Sequence, residues 1–344
     1  MPADSLSSAM ISEAVKPKDA REKLKKVFEP NWVRLLLLLA LALLCMGIFL
    51  FYGLKGNIAY VLNRRLWILA TMLIVAFCAG VSTVLFQTLT HNRILSPAIM
   101  GFESLFVLIQ TAMLFLWGFH GLGFLTPIMK FALETAVMMV FSLVIYLGVF
   151  KACRYNLFIV LLVGIVCGAF FGSLAALMQR LLSPDEFAII QTRMFATFNI
   201  VPDIRLLGFC AAACLVAVLL IWRLHHSIDV LTLGRNYAVA LGVNYSLLVS
   251  LLLILTSGLV AISTALVGPL TFFGFLVASL SYQFIKTYQH VYLLVAAFLI
   301  GIIALVGGQF ILQHVFEMNT VLSVVINFVG GVLFIVVLLR GASK

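Results

Sequence analysis

Charged residues are scarce in this sequence. Asp, Glu, Lys and Arg make up only 10% of the 344 residues, whereas 64% are hydrophobic. A soluble domain carries about 25% charged residues, so the composition excludes an ordinary soluble protein. Apolar runs of roughly the 20 residues that a membrane-crossing helix needs recur along the chain. The sequence therefore predicts an all-α membrane protein.

Motifs for covalent chemistry are also absent. The chain contains no GxxxxGK[ST] phosphate loop, no HExxH, no GxSxG and no aspartate-rich cluster for Mg²⁺. The six cysteines form no CxxC and nearly all fall in apolar runs, so we expect small buried hydrophobes rather than disulfides or a metal site. These absences predict a protein that is not an enzyme and needs neither cofactor nor metal. Any uphill transport would draw energy from a partner or an ion gradient.

The basic residues are concentrated near the start of the chain. The net charge is +10, yet seven of the basic residues lie in the first 34 positions, directly before the first apolar run. This placement is typical of cytoplasmic positive charge on a membrane protein, and nucleic acid is not an expected partner. Residues 1–30 are predicted to be a cytoplasmic tail, either solvated or with a short amphipathic helix over 20–28 on anionic lipid.

Ten apolar runs are long enough to be considered as spans, so residues 31–344 are predicted to form one transmembrane domain. An even number of spans places both termini on the same side. With the N-terminus inside, fifteen basic residues fall on the cytoplasmic side and seven on the other, which favours cytoplasmic termini. The predicted spans are 32–52, 66–90, 97–118, 127–149, 156–180, 205–223, 246–267, 270–286, 292–312 and 321–340.

Two connections are long. The outward one, 181–204, is predicted to contain a short re-entrant or interfacial helix. The cytoplasmic one, 223–245, is predicted to contain a short helix with Gly234 before it and Gly242 at its end, because Gly is favoured at helix C-termini. A structured loop of this kind is a candidate docking element.

Ionisable residues within spans are costly in lipid and are candidates for function. Lys130 and Glu134 are four residues apart and are predicted to form an ion pair on one helix face. Glu103 has no such local partner, so it is a candidate for the transport pathway, a helix contact or the cytoplasmic mouth. A further feature is the repeat of Gly164, Gly168 and Gly172, which favours close helix packing, although a smooth wall beside a pathway would have the same pattern.

Four segments, in order, match the motifs of one known family. Gln87, Asn92, Pro97 and Gly101 match a Q…NPLA-x-P-x-x-L-G signature, with Arg93 where the signature usually has Pro. The segment 234–243, GRNYAVALGV, is similar to G-D-x-x-A-x-x-L-G-V. The segment 268–277, GPLTFFGFLV, and the C-terminal stretch 320–339 with Gly330 and Gly331 resemble two further motifs. Together the four segments resemble the FecCD/BtuC family of ABC importer permeases, and their residues are most similar to those of its ferric-siderophore members of the catecholate type.

The resemblance implies a BtuC-like fold of ten helices in the inner membrane of a bacterium. It implies a second permease subunit, identical or related, two cytoplasmic ATPases, a periplasmic siderophore-binding protein and a ferric siderophore as substrate. It places ATPase coupling on one short loop, the cytoplasmic gate at two positions and binding-protein docking at two arginines. These residues are Gly234, Asn236, Ala238, Leu241, Gly242 and Val243 for coupling, Asn92 and Ile94 for the gate, and Arg64 and Arg65 for docking.

Two other functions stay open on the sequence. One is a secondary transporter driven by protons or sodium through Glu103 or Glu134. The other is an integral-membrane enzyme, for which the sequence shows no catalytic set. A requirement for a separate ATPase would distinguish an importer permease from a secondary transporter.

Overall fold

The computed structural model describes residues 31–54, 56–122, 126–149, 152, 157–198, 202–315 and 321–342. The predicted tail 1–30 and Cys153 lie outside these residues. Within them the chain forms twelve α-helices, one 3-10 turn at Pro97–Met100 and one π-helical turn at Val144–Val149. The helices are α1 Asn31–Phe51, α2 Ile58–Thr90, α3 Phe102–Leu122, α4 Pro127–Leu143, α5 Leu157–Arg180, α6 Pro184–Arg193, α7 Ile204–Leu231, α8 Arg235–Ala240, α9 Tyr245–Val267, α10 Phe273–Phe284, α11 His290–His314 and α12 Leu322–Ala342.

Each of the ten predicted spans coincides with one helix. Among the described residues, six helices are long and apolar enough to cross a membrane, and the remaining spans are shorter apolar helices or a helix extended by the π turn. Two helices are longer than their apolar runs. The helix α2 begins at Ile58, where the side chain of Asn57 accepts a hydrogen bond from Tyr60 N–H, and α7 continues to Leu231. The cytoplasmic connection, predicted over 223–245, is therefore shorter and spans residues 232–244.

The helices α2, α9 and α11 form the centre of the bundle. In their most apolar windows, 78%, 67% and 56% of the residues are buried, compared with 17–22% for α1, α5 and α7. Small residues allow the close contact of α2 with α11. A Cβ on Gly80 would lie 3.2 Å from the carbonyl oxygen of Ala297, and one on Gly301 would lie 3.1 Å from the Cβ of Ala76. The peripheral helices present apolar side chains outward, as expected for surfaces that face lipid or another subunit.

Two short helices mark the two ends of the bundle. The end that carries α8 also holds the C-terminus of α2 and the N-terminus of α11; we call it the α8 end. The opposite end carries α6 and is called the α6 end. The N-terminus of α1 lies at the α8 end, where the guanidinium of Arg34 donates to the carbonyl of Phe284 at 3.0 Å.

The helix α6 confirms the short helix predicted within 181–204. Its N-terminus is a capping box in which the Ser183 hydroxyl accepts from Glu186 N–H while the Glu186 carboxylate accepts from Ser183 N–H. Reciprocal bonds of this kind satisfy two backbone donors that a helix start leaves free. The polar cap fixes where this helix begins.

The cysteines of the described residues are free thiols, namely Cys45, Cys78, Cys167, Cys210 and Cys214. Cys78 and Cys210 are fully buried, as expected for small apolar side chains. The sulfurs of Cys78 on α2 and Cys214 on α7 lie 3.6 Å apart and share a weak hydrogen bond. These thiols therefore contribute to helix packing.

Candidate functional site

The helix α8 is held between two glycines with positive φ. Gly234 precedes it with φ +92°, and Gly242 follows it with φ +82°. At its C-terminus, Val243 N–H donates to the carbonyl of Ala238, and Gly242 N–H donates to that of Val239, both at 3.0 Å. These two bonds form a Schellman motif, which satisfies the last carbonyls of a helix and needs Gly in the left-handed region. The sequence prediction of a Gly-bounded short helix is confirmed.

Only one side chain of α8 is fully buried. Ala238 points into the bundle with no exposed surface, while Tyr237, Val239 and Leu241 are more than half exposed. Leu233 before the helix and Leu247 after it are exposed as well. An apolar surface on a polar connection is typical of a docking site for another protein. We call these five side chains the α8 docking surface.

The connection between α2 and α3 begins with a tight polar turn. His91 ends α2 with φ +50°, and Asn92 N–H donates to the carbonyl of Gln87 at 3.2 Å. The side-chain oxygen of Asn92 then accepts from Ile94 N–H at 2.9 Å. This Asx turn gives Asn92 a local structural role. Both predicted gate residues directly follow the C-terminus of α2 and therefore lie at the α8 end. Asn92 is exposed, and Ile94 is half-buried.

The same connection is fixed to its neighbours. The amide of Gln87 donates to the carbonyl of Arg93 at 2.7 Å, and the guanidinium of Arg93 lies 4.5 Å from the ring centre of Tyr282 on α10. Cation–π contacts of this length are attractive. Residues 91–94 therefore contact both α2 and α10.

The connection ends against the middle of α5. Gly101 has φ +89°, and its Cα packs so closely on Gly168 that a Cβ on either glycine would lie 2.7 Å from the other's Cα. A Cβ on Gly164 would lie 3.0 Å from Met100 Cε, and one on Gly172 would lie 3.8 Å from Ser104 Oγ. The glycine repeat of α5 thus packs against the start of α3. Of the two interpretations of this repeat, the contacts agree with close helix packing.

Glu103 lies beside an interruption between α9 and α10. The hydroxyl of Thr271 donates to its carboxylate at 2.5 Å, and the next residue, Phe272, donates its N–H to Asn327 on α12 at 3.3 Å. Gly268, with φ +103°, opens this interruption. Helix ends inside a membrane protein need partners for their free backbone groups. Glu103 therefore has a long-range partner that the sequence did not reveal.

The two neighbouring arginines of α2 differ. Arg65 is half-buried, and one guanidinium nitrogen donates to the carbonyls of Phe49, Leu50 and Tyr52 at 2.9, 3.1 and 2.7 Å. Cations at a helix C-terminus satisfy its free carbonyls and interact favourably with its dipole. Arg64 is exposed at the same end. Arg65 therefore stabilises the end of α1 whether or not a binding protein contacts it.

A cavity of about 890 Å³ opens at the α6 end. Such a volume lies within the range of about 300–1,000 Å³ that ligand pockets have. Parts of α3, α4, α6, α9, α11 and α12 contribute to its lining. Its polar members are Gln110, Lys130, Glu134, Gln191, Thr192, Arg193, Thr197, Asp203 and Gln309.

A bonded polar cluster forms one wall of this cavity. Gln110 on α3 donates to the Glu134 carboxylate at 2.7 Å and accepts from Arg193 on α6 at 3.1 Å. The Lys130 ammonium lies 3.6 Å from the same carboxylate, which confirms the predicted ion pair. Buried charges need such partners because desolvation is costly. The sequence missed Gln110 and Arg193, since no local spacing relates them to α4.

Sequence reasoning also missed a cluster at the α8 end. His290, at the start of α11, lies between Asp229 on α7 and Thr88 on α2. The three residues are separated by 61 and 202 positions in the chain. The available signal was a threonine in the last turn of the predicted span 66–90, an aspartate six residues after the span 205–223, and a histidine two residues before the span 292–312.

These features define a multi-pass helical membrane protein with exposed apolar side chains on a short helix at one end and a cavity at the other. The FecCD transport family matches residues 55–340, and the chain belongs to that family. It is therefore an inner-membrane permease subunit of an ABC importer and not an enzyme; ATP hydrolysis belongs to a separate subunit. Family membership implies a second permease and a binding protein as further partners.

Two relatives cover nearly the whole chain. The petrobactin import system permease protein YclO of Bacillus subtilis (strain 168) is 44% identical over 310 residues, 90% of this chain and 98% of YclO. The petrobactin import system permease protein FatC of Bacillus anthracis is 37% identical over 321 residues, 92% of this chain and 90% of FatC. These matches do not support the alternative function, a secondary transporter driven by protons or sodium.

A solved structure has the same fold. A chain described as an inward-facing conformation of a metal-chelate type ABC transporter superposes with a TM-score of 0.78. The two sequences are 21% identical, and the match covers 90% of this chain and 99% of the other. The predicted BtuC-like permease fold of ten membrane helices is thus confirmed.

Proposed function

We propose that this chain carries ferric siderophores of the catecholate type across the inner membrane, together with a second permease, two ATPases and a siderophore-binding protein. The single observation that carries the proposal is 44% identity, over 90% of the chain, to a petrobactin import permease. A second relative, at 37% identity, is also a petrobactin import permease. In this proposal the α8 end and both termini lie in the cytoplasm.

The docking surface of α8 is the site at which an ATPase binds. Tyr237, Val239 and Leu241 present apolar area that no other part of the described residues covers. Buried aromatic and aliphatic anchors contribute most of the energy of protein–protein interfaces. The flanking glycines let the short helix sit across the ends of α7 and α9, so a force on it reaches both spans. Asn236, Gly242 and Val243 belong to the same element and hold its shape.

The cavity at the α6 end receives the substrate from the binding protein. Its size suits a small chelate. On the bonded wall, Lys130 and Arg193 outnumber Glu134, whereas Asp203, whose carboxylate accepts from Arg205 N–H at 3.0 Å, balances the charge of the whole lining. Anionic oxygens of an iron chelate would interact favourably with a guanidinium at this position. Arg64, exposed at the same end, is the residue proposed to contact an acidic group of the binding protein.

The proposal is tested by uptake of ferric petrobactin into proteoliposomes that contain the complete importer. The variant Tyr237→Ser combined with Leu241→Ser should reduce ATP-dependent uptake to about a tenth or less, since hot-spot residues contribute about 2 kcal/mol or more each. Ile204→Ser is the matched control, because Ile204 and Leu241 are both 62% exposed but lie at opposite ends. Co-purification of the ATPase reports docking separately.

Three outcomes separate the alternatives. Uptake that requires ATP and is lost with the α8 variant, but not with Ile204→Ser, supports the proposal. ATP-dependent uptake of another metal chelate, with none of ferric petrobactin, keeps the importer and refutes the substrate. Uptake that does not require ATP and is lost when the proton gradient is dissipated would refute the importer assignment.

A further inference from the structure

Three helix ends meet at the side chain of His290. This residue is the first of α11 and is 2% exposed. Its Nδ1 lies 2.6 Å from the Asp229 Oδ1, and its backbone N–H donates to the same oxygen at 2.8 Å. Its Nε2 lies 2.8 Å from the hydroxyl of Thr88. One imidazole thus connects the ends of α2, α7 and α11.

Donors and acceptors are matched in the contacts around His290. Gln289, at the N-cap of α11, makes no side-chain capping bond, so the Asp229 carboxylate supplies that bond from another helix. A carboxylate at a helix N-terminus is favoured by the helix dipole. Facing a carboxylate, Nδ1 carries a proton. The single proton of the Thr88 hydroxyl is shared between Nε2 at 2.8 Å and the carbonyl of Val84 at 2.9 Å. Bonds to an ionised group are short and strong, so these contacts couple the three helix ends.

On one side, the cluster is attached to the α8 connection. Asp229 lies in the last turn of α7, and the Thr232 hydroxyl donates to its carbonyl at 2.7 Å. Gly234 N–H donates to the carbonyl of Leu231 at 3.0 Å, so the chain from Asp229 to the start of α8 is a continuous bonded turn. A displacement of α8 therefore reaches Asp229 without an intervening flexible loop.

On the other side, the cluster is attached to the predicted gate. Thr88 lies two residues before the end of α2, and its backbone carbonyl accepts from His91 N–H at 3.4 Å in the turn that opens the gate connection. The guanidinium of Arg93, next to Asn92 in the gate connection, lies over the Tyr282 ring of α10. The contacts therefore run from Asp229 through His290 and Thr88 to the turn at His91 and Asn92.

We propose that His290 is a positioning residue that transmits movement of α8 to the gate connection 91–101. The proposal rests on the proposed function, in which ATPases displace α8. When they do so, Asp229 moves with α7, and the buried bonds of His290 draw α11 and the end of α2 along. A competing route runs through α9, where the Arg235 guanidinium lies 5.8 Å from the Tyr245 ring. Since α9 also packs against the 3-10 turn Pro97–Met100, the variants at Thr88 and Asp229 decide between the two routes.

The test measures siderophore transported per ATP hydrolysed by the complete importer in proteoliposomes. Thr88→Val and Asp229→Ala should each lower this ratio about fivefold while ATP hydrolysis continues, and the double variant should fall no further, because residues in one network are non-additive. Thr88→Ser keeps the hydroxyl and should restore the ratio. Thr256→Val is the matched control, since its buried hydroxyl bonds to Leu253 within its own helix.

A second measurement is independent of the substrate. Hydrogen–deuterium exchange of residues 90–101 and 232–244 is compared between nucleotide-free and ATP-trapped complexes. In the wild type, exchange should change in both segments; in Thr88→Val it should change only in 232–244. Exchange that still changes in 90–101, or a transport ratio equal to wild type in Thr88→Val and Asp229→Ala, overturns the proposal. A wild-type complex that fails to take up siderophore contradicts the proposed function alone, because the exchange experiment still tests the transmission.

Discussion

The two ends of the bundle use their polar residues differently. At the α8 end, His290 bonds to both Asp229 and Thr88 and joins three helix ends. At the α6 end, Gln110 bonds to both Glu134 and Arg193, and these three residues form a wall of an 890 Å³ cavity. A packed cluster that joins helix ends is suited to transmit movement, since packed side chains transmit strain. An open cluster is suited to meet a ligand.

The largest effect is expected where the gate connection sits on α5. In Gly168→Ala the new Cβ meets the Gly101 backbone at 2.7 Å, and neither backbone has room to move. Overpacking of this kind costs about 1–3 kcal/mol. We expect a lower thermal unfolding temperature of the detergent-solubilised protein and loss of uptake. Gly172→Ala is the control, because its Cβ meets Ser104 at 3.8 Å and the helix gains about 1 kcal/mol from Ala. Equal stability of the two variants would refute this packing.

The next effect separates two neighbouring arginines at the α6 end. Arg65→Ala removes three bonds to the end of α1 and should destabilise the protein by about 2 kcal/mol, since hydrogen bonds to a charged group contribute about 1.5–3 kcal/mol. Arg64→Ala should leave the unfolding temperature unchanged and weaken binding-protein docking. Thermal unfolding and binding-protein titration measure the two effects. Weakened docking in Arg65→Lys at full stability would assign docking to Arg65 as well.

A smaller effect is expected in the cavity itself. Arg193→Gln removes a cation from the wall and should lower the maximal uptake rate about threefold to tenfold, the loss of about one charge-assisted contact. Arg205→Gln is the control, because Arg205 is exposed at the same end and is not part of the cavity lining. Uptake kinetics at saturating binding protein distinguish the two. Equal rates for both variants would show that the cavity wall does not meet the substrate.

The smallest effect is expected at Glu103. In Glu103→Gln the amide oxygen still accepts the Thr271 hydroxyl, so the start of α3 keeps its contact with the interruption at 268–272. We expect uptake within about twofold of wild type, since a conserved hydrogen-bond geometry costs little when charge alone is removed. Glu103 is a proposed pathway residue, and a complete loss of uptake at unchanged thermal stability would show that its charge acts on the substrate or on a proton.

The helices could be predicted from the sequence because the membrane makes length and apolarity decisive. Each of the ten apolar runs became a helix, and Gly234 and Gly242 bound α8 because their positive φ values suit Gly. The predicted spans were too short for α2, which begins before Arg64, and for α7, which continues past Arg223. Polar residues stop an apolar run, yet they do not stop a helix whose end projects beyond the lipid.

Contacts between distant segments could not be predicted in the same way. The ion pair of Lys130 with Glu134 follows from helical spacing, and the structure contains it. The partner of Glu103 is Thr271, 168 residues away, and the bonds of Arg65 to the end of α1 were not predicted. Docking at Arg65 stays a prediction. Residue type shows that a buried charge needs a partner, but it does not show which one.

The sequence by itself determined the number of helices, the family and the position of the short helix α8, because hydrophobic run length and glycine conformation are local properties. Only the tertiary structure decided that Asp229, His290 and Thr88 meet, and that Gly101 sits on Gly168. Those contacts depend on which helix faces pack together. In a bundle of uniformly apolar helices, small residues and buried polar groups select those faces, and their partners lie far apart in the chain.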